Sequence, residues 1–166
     1  MKPALIIALL GLAIAANAAG PAAPEAGWSK DPVSGCQFVP PRSLPSGPTY
    51  WIGACPGGKA DGRGVLRRRN GAEAGEVFYG ELKDGVPVIG VIDTARGKQG
   101  GLIAGRWKDG DLTTGEDSVW QDNANAFTAA RKAAQAASAV FKAQNNEASA
   151  RYYAQQAKML DEQVDR

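Results

Sequence analysis

The 166-residue chain contains no histidine and only two cysteines, Cys36 and Cys55. It therefore lacks the commonest general base and the commonest metal ligand. Two thiols hold a metal ion only with further ligands, and none is evident in the sequence. We expect a protein that is not an enzyme, with no catalytic residues, no metal and no cofactor.

A large excess of charge of either sign is also missing. The chain has 19 Lys and Arg against 17 Asp and Glu, which gives a formal net charge of +2. Proteins that bind nucleic acid usually carry a pronounced basic surface. The balance of charge therefore excludes nucleic acid as an expected partner.

Glycine and proline are absent from the last third of the chain. All 21 glycines lie at or before Gly115, and all 10 prolines lie at or before Pro87. We expect two physically different segments, residues 33–116 and residues 117–166.

Only one long hydrophobic run is present, at residues 5–16, after a short positive start at Lys2. Ala16-Asn17-Ala18 follows as a small-x-small cleavage pattern. This arrangement is typical of a secretory signal peptide, residues 1–18, with a retained anchor as the alternative. Residues 19–32, rich in Ala, Pro and Gly, are expected to form a flexible linker. The mature protein is expected to be soluble and periplasmic or secreted.

An exported chain with two cysteines is expected to form one disulfide, between Cys36 and Cys55. Such a bridge would stabilise the fold by roughly 3 kcal/mol in the chain-entropy model. It would attach a short strand at residues 33–39 to the strand that begins near Tyr50. A pair of reactive or metal-binding thiols is the alternative.

Between these cysteines and Gly115 the chain repeats a short pattern. Trp51-x-Gly53, Phe78-x-Gly80 and Ile103-x-Gly105 are each followed, at the same spacing, by a further glycine: Gly58, Gly85 and Gly110. The recurrence of this pattern three times along the chain predicts a stacked repeat architecture. The bulky residue packs on one face of a strand, and we expect the glycine two positions on to leave its face uncovered. Asp84-Gly85 and Asp109-Gly110 predict β-hairpin turns.

This pattern resembles MORN repeats, whose unit reads aromatic-x-Gly, aromatic, Gly, and a closing Gly-x-Gly. The resemblance covers residues 50–116 and is strong in the first unit, where Cys55 occupies the place of the second aromatic. The second and third units are degraded. The matching positions are, by unit, Trp51, Gly53, Gly58, Gly62 and Gly64; Phe78, Gly80, Leu82, Gly85 and Gly90; and Ile103, Gly105, Trp107, Gly110 and Gly115. The resemblance implies β-hairpins that together form a long, narrow, meandering sheet.

The alanine-rich segment 117–166 favours helix by composition. Asp117, Ser118 and Asp122 are candidate N-terminal caps. Its stripe of small and apolar residues consists mainly of alanine and is interrupted at Asn145-Asn146. A self-associating coiled coil would need larger residues, such as Leu, Ile or Val, along this stripe. The stripe is therefore expected either to dock on another surface or to pair weakly with itself as a homo-oligomer. The predicted fold is mainly β: a single meandering sheet of MORN-like hairpins followed by one long C-terminal α-helix.

Two motifs with possible ligands are rejected on their context. Gly53-x-x-x-x-Gly58-Lys59 has the skeleton of a phosphate-binding loop, but Ala60 replaces the Ser or Thr that holds magnesium, and turn and strand are expected after Lys59 in place of a helix. The acidic stretch 108–117 lacks the alternating oxygen ligands of an EF-hand loop.

Candidate binding residues are Arg67, Arg69, Tyr79 and Trp107. Arg67 and Arg69 share one strand face, with Arg68 on the other. They suit an anionic partner, such as a lipid headgroup, a glycan phosphate or an acidic protein; a solubilising strand end is the alternative. Tyr79 and Trp107 predict either a binding stripe or a core covered by the C-terminal helix.

The sequence thus favours an adaptor or scaffold that binds another envelope or secreted protein, with an anionic lipid or glycan surface as a further candidate partner. An immunity-type inhibitor of an exported toxin is one alternative. A glycan hydrolase of the envelope is another, and its candidate carboxylates are Glu73, Glu76, Glu81, Asp84, Asp93, Asp109 and Asp111.

Overall fold

The structure, a computed structural model, describes residues 27–94, 101–113 and 119–164. The predicted signal peptide and residues 19–26 of the predicted linker lie outside the described residues. The strands are β1 Ser29–Lys30, β2 Gln37–Phe38, β3 Thr49–Ala54, β4 Asp61–Asn70, β5 Glu73–Lys83, β6 Val86–Asp93, β7 Leu102–Lys108 and β8 Asp111–Leu112. The helices are α1 Val119–Ala143 and α2 Glu147–Asp161.

Strands β3 to β8 form a six-stranded antiparallel sheet in which every strand pairs with its neighbour in sequence. The mainly-β prediction is confirmed. It is incomplete in one respect, because β1 and β2 form a separate two-stranded antiparallel sheet. The last residues of the predicted linker thus include β1, and the strand expected at residues 33–39 is limited to β2.

The two Asp-Gly pairs form the predicted hairpin turns. Asp84 and Gly85 connect β5 to β6 with φ of 49° and 86°, and Asp109 and Gly110 connect β7 to β8 with φ of 54° and 83°. Two consecutive positive φ angles are the geometry whose twist matches the flanking antiparallel strands.

The glycines of the repeats lie side by side across the sheet. Gly64 pairs with Gly80, Gly80 with Gly90, and Gly90 with Gly105. The Phe78 ring covers two of them, because a Cβ would lie 2.5 Å from its Cζ at Gly80 and 2.8 Å from it at Gly90. The expectation that these glycines leave their face uncovered is therefore wrong: their missing side chains provide the space in which the rings lie.

The two faces of the sheet carry separate cores. Residues 27–48, called here the N-terminal segment, fold over the face that bears Trp51, Leu66 and Phe78. The disulfide Cys36–Cys55 is present, with Cα atoms 6.0 Å apart, and attaches this segment to the chain just after β3. The helices cover the opposite face, where the buried residues are Val65, Val77, Tyr79, Ile89 and Val91 from the sheet and Ala126, Ala129, Ala130, Ala133, Ala134, Ala137, Tyr153, Ala157 and Leu160 from the helices.

The prediction of one long C-terminal helix is wrong, since α1 and α2 form a helical hairpin. Asn145 adopts a left-handed φ of 57°, and the amide of Asn146 donates to the carbonyl of Phe141 at 2.9 Å, which closes α1. The side chain of Asn146 then caps α2 by accepting from the Ser149 amide at 3.1 Å. Alanines let α1 approach the sheet closely, so the stripe docks within its own chain.

The predicted caps of the first helix have different positions. Asp117 and Ser118 lie outside the described residues. Asp122 lies inside the first turn of α1 and pairs with Arg106 on β7 at 3.0 Å. Within the described ranges, neither helix combines the length and the hydrophobicity needed to cross a bilayer.

Candidate functional site

The stretch with the phosphate-loop skeleton is part of a connection between strands. Pro56–Gly58 form a short 3-10 turn, and β4 begins at Asp61, so no helix starts at Lys59. The ammonium of Lys59 instead lies 4.8 Å from the centre of the Trp28 ring. This geometry removes the helix N-terminus that a phosphate-binding loop requires.

A groove of about 780 Å³ lies where β3 and β4, the turn between α1 and α2, and residues 31–34 meet. We call it the arginine–tyrosine groove. Its lining residues are Asp31, Val33, Ser34, Tyr50, Trp51, Ile52, Gly53, Arg67, Arg69, Ala74, Val140, Phe141, Gln144, Ala148, Ser149, Tyr152 and Tyr153.

Arg67 is the charged group at the base of this groove, and only 8% of its surface is exposed. Its Nη2 donates to the hydroxyl of Tyr152 at 2.9 Å. The guanidinium carbon lies 4.8 Å from the centre of the Tyr152 ring and 5.2 Å from that of Tyr153, within the range of cation–π attraction. No carboxylate pairs with it in the described part of the chain, and its Nε has no hydrogen-bond partner.

Two of the tyrosines near Arg67, Tyr79 and Tyr153, have raised pKa values. Burial raises the pKa of Tyr79 and of Tyr153, and the nearby Arg67 opposes this in part. Burial alone would lower the pKa of Arg67, but Tyr153, Tyr152 and Tyr79 outweigh it and the pKa is raised. Arg67 is therefore a permanent cation, and the buried phenols of Tyr79 and Tyr153 stay neutral at ordinary pH.

Arg69 lies on the same side of β4 as Arg67, and its guanidinium carbon is 5.6 Å from the centre of the Tyr50 ring. Arg68 points to the other face, where its Nη1 donates to the carbonyl oxygens of Pro48 at 3.4 Å and Arg69 at 2.6 Å. The structure thus brings two of the three consecutive arginines into the groove.

Tyr79 and Trp107 do not form a shared binding stripe, because they lie on opposite faces of the sheet and both are buried. Tyr79 packs under the helices and its hydroxyl donates to Oε1 of Gln156 at 3.4 Å. Trp107 packs edge-on against Phe78, with ring centres 5.3 Å apart. Their positions match the core alternative rather than an exposed site.

Several groove residues were not identified from the sequence. Asp31 is 4% exposed, and its carboxylate accepts from the amides of Val33 at 2.7 Å, Ser34 at 2.9 Å and Trp51 at 2.7 Å. It holds the groove wall at residues 31–34 against β3. An aspartate two and three residues before free amides is a recognisable turn signal; the contact with Trp51 has no local signal.

Comparisons with protein families, with curated proteins and with solved structures found no match to this chain.

Proposed function

We propose that the protein is a non-enzymatic interaction module of the periplasm or the secreted space, an adaptor or scaffold built on a MORN-like sheet. The arginine–tyrosine groove is its contact site, and the partner is another exported protein that inserts an acidic segment. The observation that carries this proposal is a buried arginine at the base of the groove that pairs with no carboxylate of the described residues.

The energetics of Arg67 support a partner of opposite charge. A buried cation loses much of its hydration, and a hydrogen bond to one phenol replaces little of it. A carboxylate that enters the groove would replace the missing interaction, with Arg69 adding charge near the rim. Arginine and tyrosine are also the residue types that contribute most to binding energy at protein interfaces.

The shape of the groove helps to choose between partners. A volume of about 780 Å³ lies within the range of sites that enclose a ligand of several residues or a drug-sized molecule. Arg67 is recessed, so a projecting group reaches it more easily than a flat lipid or glycan surface does. This favours a protein segment over an anionic surface.

The hydrolase alternative is less well supported by the groove. Glycosidases use two carboxyl groups roughly 5 to 9.5 Å apart. Of the described residues that line the groove, Asp31 is the only carboxylate, and three backbone amides occupy its oxygens.

Quantitative capture from an envelope extract tests the proposal. The mature chain would be compared with Arg69→Glu, an exposed groove residue, and with Arg151→Glu, an exposed α2 residue that does not line the groove. We expect at least one exported protein to be enriched by the wild type and by Arg151→Glu, and to be reduced about tenfold or more by Arg69→Glu. Equal capture by all three proteins would contradict the proposal.

Two further measurements separate the alternatives. Deletion of the gene that is lethal only beside a neighbouring toxin gene would identify an immunity protein. Turnover of cell-wall fragments that a single carboxylate substitution abolishes would identify a hydrolase and overturn the proposal.

A further inference from the structure

We infer that the arginine–tyrosine groove binds a single carboxylate group that lies beside an apolar or aromatic side chain of the partner. The carboxylate is either the C-terminus of a polypeptide or an Asp or Glu side chain. This inference rests on the proposed function and specifies the chemistry that the groove recognises.

Arg67 and Tyr152 together supply unused donors. Nη2 of Arg67 donates to Tyr152, while the buried Nε has no acceptor among the described residues. The Tyr152 hydroxyl accepts that bond, which leaves its own proton free for an acceptor. A guanidinium fork matches the two oxygens of a carboxylate, and charge-assisted hydrogen bonds of this kind are about twice as strong as neutral ones.

The walls of the groove define what accompanies the carboxylate. The large apolar side chains that are exposed in the described residues are Val33 at 83%, Trp120 at 74% and Tyr152 at 39%. Val33 and Tyr152 lie at the groove, as do the rings of Tyr50 and Phe141. Exposed apolar residues that converge on one concave site mark a binding surface. A small inorganic anion would leave these walls uncovered.

The polar part of the groove is narrow. Arg67 lies against the rings of Tyr152 and Tyr153, Arg69 lies over the ring of Tyr50, and the carboxylate of Asp31 accepts from backbone amides. A phosphate dianion needs more donors than this arrangement offers, whereas one carboxylate needs two or three. The geometry therefore favours a single carboxylate that lies beside an apolar side chain.

The test uses the full mature chain labelled with ¹⁵N, and NMR titration with defined probes. The probes are N-acetylphenylalanine, its amide, acetate, inorganic phosphate, and N-acetylglutamyl-phenylalanine amide. We expect saturable shifts at Arg67 and Arg69 with N-acetylphenylalanine or with the glutamyl peptide, and the tighter of the two identifies the source of the carboxylate. The neutral amide, acetate and phosphate should each bind about tenfold more weakly or worse.

Variants assign the binding to the groove. Tyr152→Phe keeps the ring and removes the hydroxyl, and should weaken binding several-fold. Arg69→Gln changes an exposed side chain and should also weaken it, while Arg151→Gln should bind as the wild type does. Arg67→Lys keeps the charge but loses the fork of the guanidinium, and should bind about tenfold more weakly. If this variant does not fold, Tyr152→Phe and Arg69→Gln decide the result.

The outcomes distinguish this inference from the proposed function. Equal binding of the acid and the amide, tighter binding of phosphate, or shifts that map away from the groove would overturn the inference. Probe binding in the groove without capture of any exported protein would support the inference and contradict the proposed function. Capture of an exported protein without binding of any probe would support the proposed function and contradict the inference.

Discussion

Polar groups are concentrated where the sheet meets α2. Arg67 contributes a buried charge, Tyr79 donates a hydrogen bond to Gln156, and the rings of Tyr152 and Tyr153 contact the guanidinium. None of these contacts is local in sequence, since β4 and β5 are far from α2 along the chain. The cluster therefore fixes the position of the helical hairpin on the sheet and shapes the groove beside it.

The buried tyrosines predict a loss of stability at alkaline pH. Burial raises the pKa of Tyr79 and Tyr153 in the folded state, whereas tyrosine in an unfolded chain ionises near pH 10. Each neutral phenol therefore stabilises the fold fully below pH ~10, and this contribution is lost as pH rises above that value. The free energy of unfolding should fall by up to about 1.4 kcal/mol per pH unit for each tyrosine.

Urea denaturation between pH 8 and pH 11 measures this slope. Tyr79→Phe removes one titrating group. Above pH 10 its free energy of unfolding should therefore fall with pH less steeply than that of the wild type, by the slope that one proton contributes. At pH 8 the variant should lose only the hydrogen bond to Gln156, which is about 1 kcal/mol. Identical slopes for both proteins would show that Tyr79 does not titrate on unfolding.

The positions of these residues are only partly predictable from the sequence. Strand alternation placed Arg67 and Arg69 together because the two-residue period of a strand is a local property. It did not show that Tyr152 and Tyr153 would face them, because this depends on where a helix docks. Tyr79 was named for its aromatic ring, but its burial follows from the same docking.

The row of paired glycines controls the packing of the repeats. At Gly80 an added Cβ would lie 2.5 Å from Cζ and 2.8 Å from Cε1 of Phe78 and would also meet the carbonyl of Ile89. The backbone there needs no left-handed φ, so the cost of a side chain is steric. Gly80→Ala should lower the free energy of unfolding by about 3 kcal/mol.

Gly101→Ala is the matched control, since no atom of the described residues lies within 4 Å of its added Cβ. It should change stability by less than about 0.5 kcal/mol. Chemical denaturation of both variants gives the comparison. Equal stability of the two variants would show that the Phe78 ring moves aside without cost and that the glycine row has no packing role.

At the level of elements, the sequence was informative where structure is local. Asp84-Gly85 and Asp109-Gly110 determine hairpin turns by their own conformational preferences. Asn145-Asn146 was visible as an interruption, but composition favoured a continuous helix, and only packing of α2 against α1 and the sheet makes the break favourable. The pairing of β1 with β2 was not predicted, because strands of two residues depend on tertiary contacts.

At the scale of the molecule, the described residues form three layers: the N-terminal segment, the sheet and the helical hairpin. The outer layers come from opposite ends of the described chain, and both contribute walls to the groove. The N-terminal segment also bonds to hairpin turns of the sheet, through Val39 to Gly85 at 2.8 Å and Arg42 to Gly110 at 2.9 Å. The presence of just two cysteines in the sequence predicted the disulfide that attaches the N-terminal segment. The groove itself has no sequence signature because it exists only where the layers meet.

The disulfide should contribute to the stability of the molecule as a whole. Cys36 is fully buried in the core under the N-terminal segment, while Cys55 is exposed, so Cys55→Ser removes the bridge without placing a hydroxyl in that core. The bridge restricts the unfolded chain, and its loss should cost about 3 kcal/mol, or about 10 °C in Tm for a domain of this size. Amides that join the N-terminal segment to the sheet, such as those of Val39 and Ala60, should exchange faster with solvent. Calorimetry and hydrogen exchange measure both effects.

Reductant provides the control: it should lower the Tm of the wild type to that of Cys55→Ser and leave the Tm of the variant unchanged. A variant as stable as the oxidised wild type would show that packing alone holds the N-terminal segment in place.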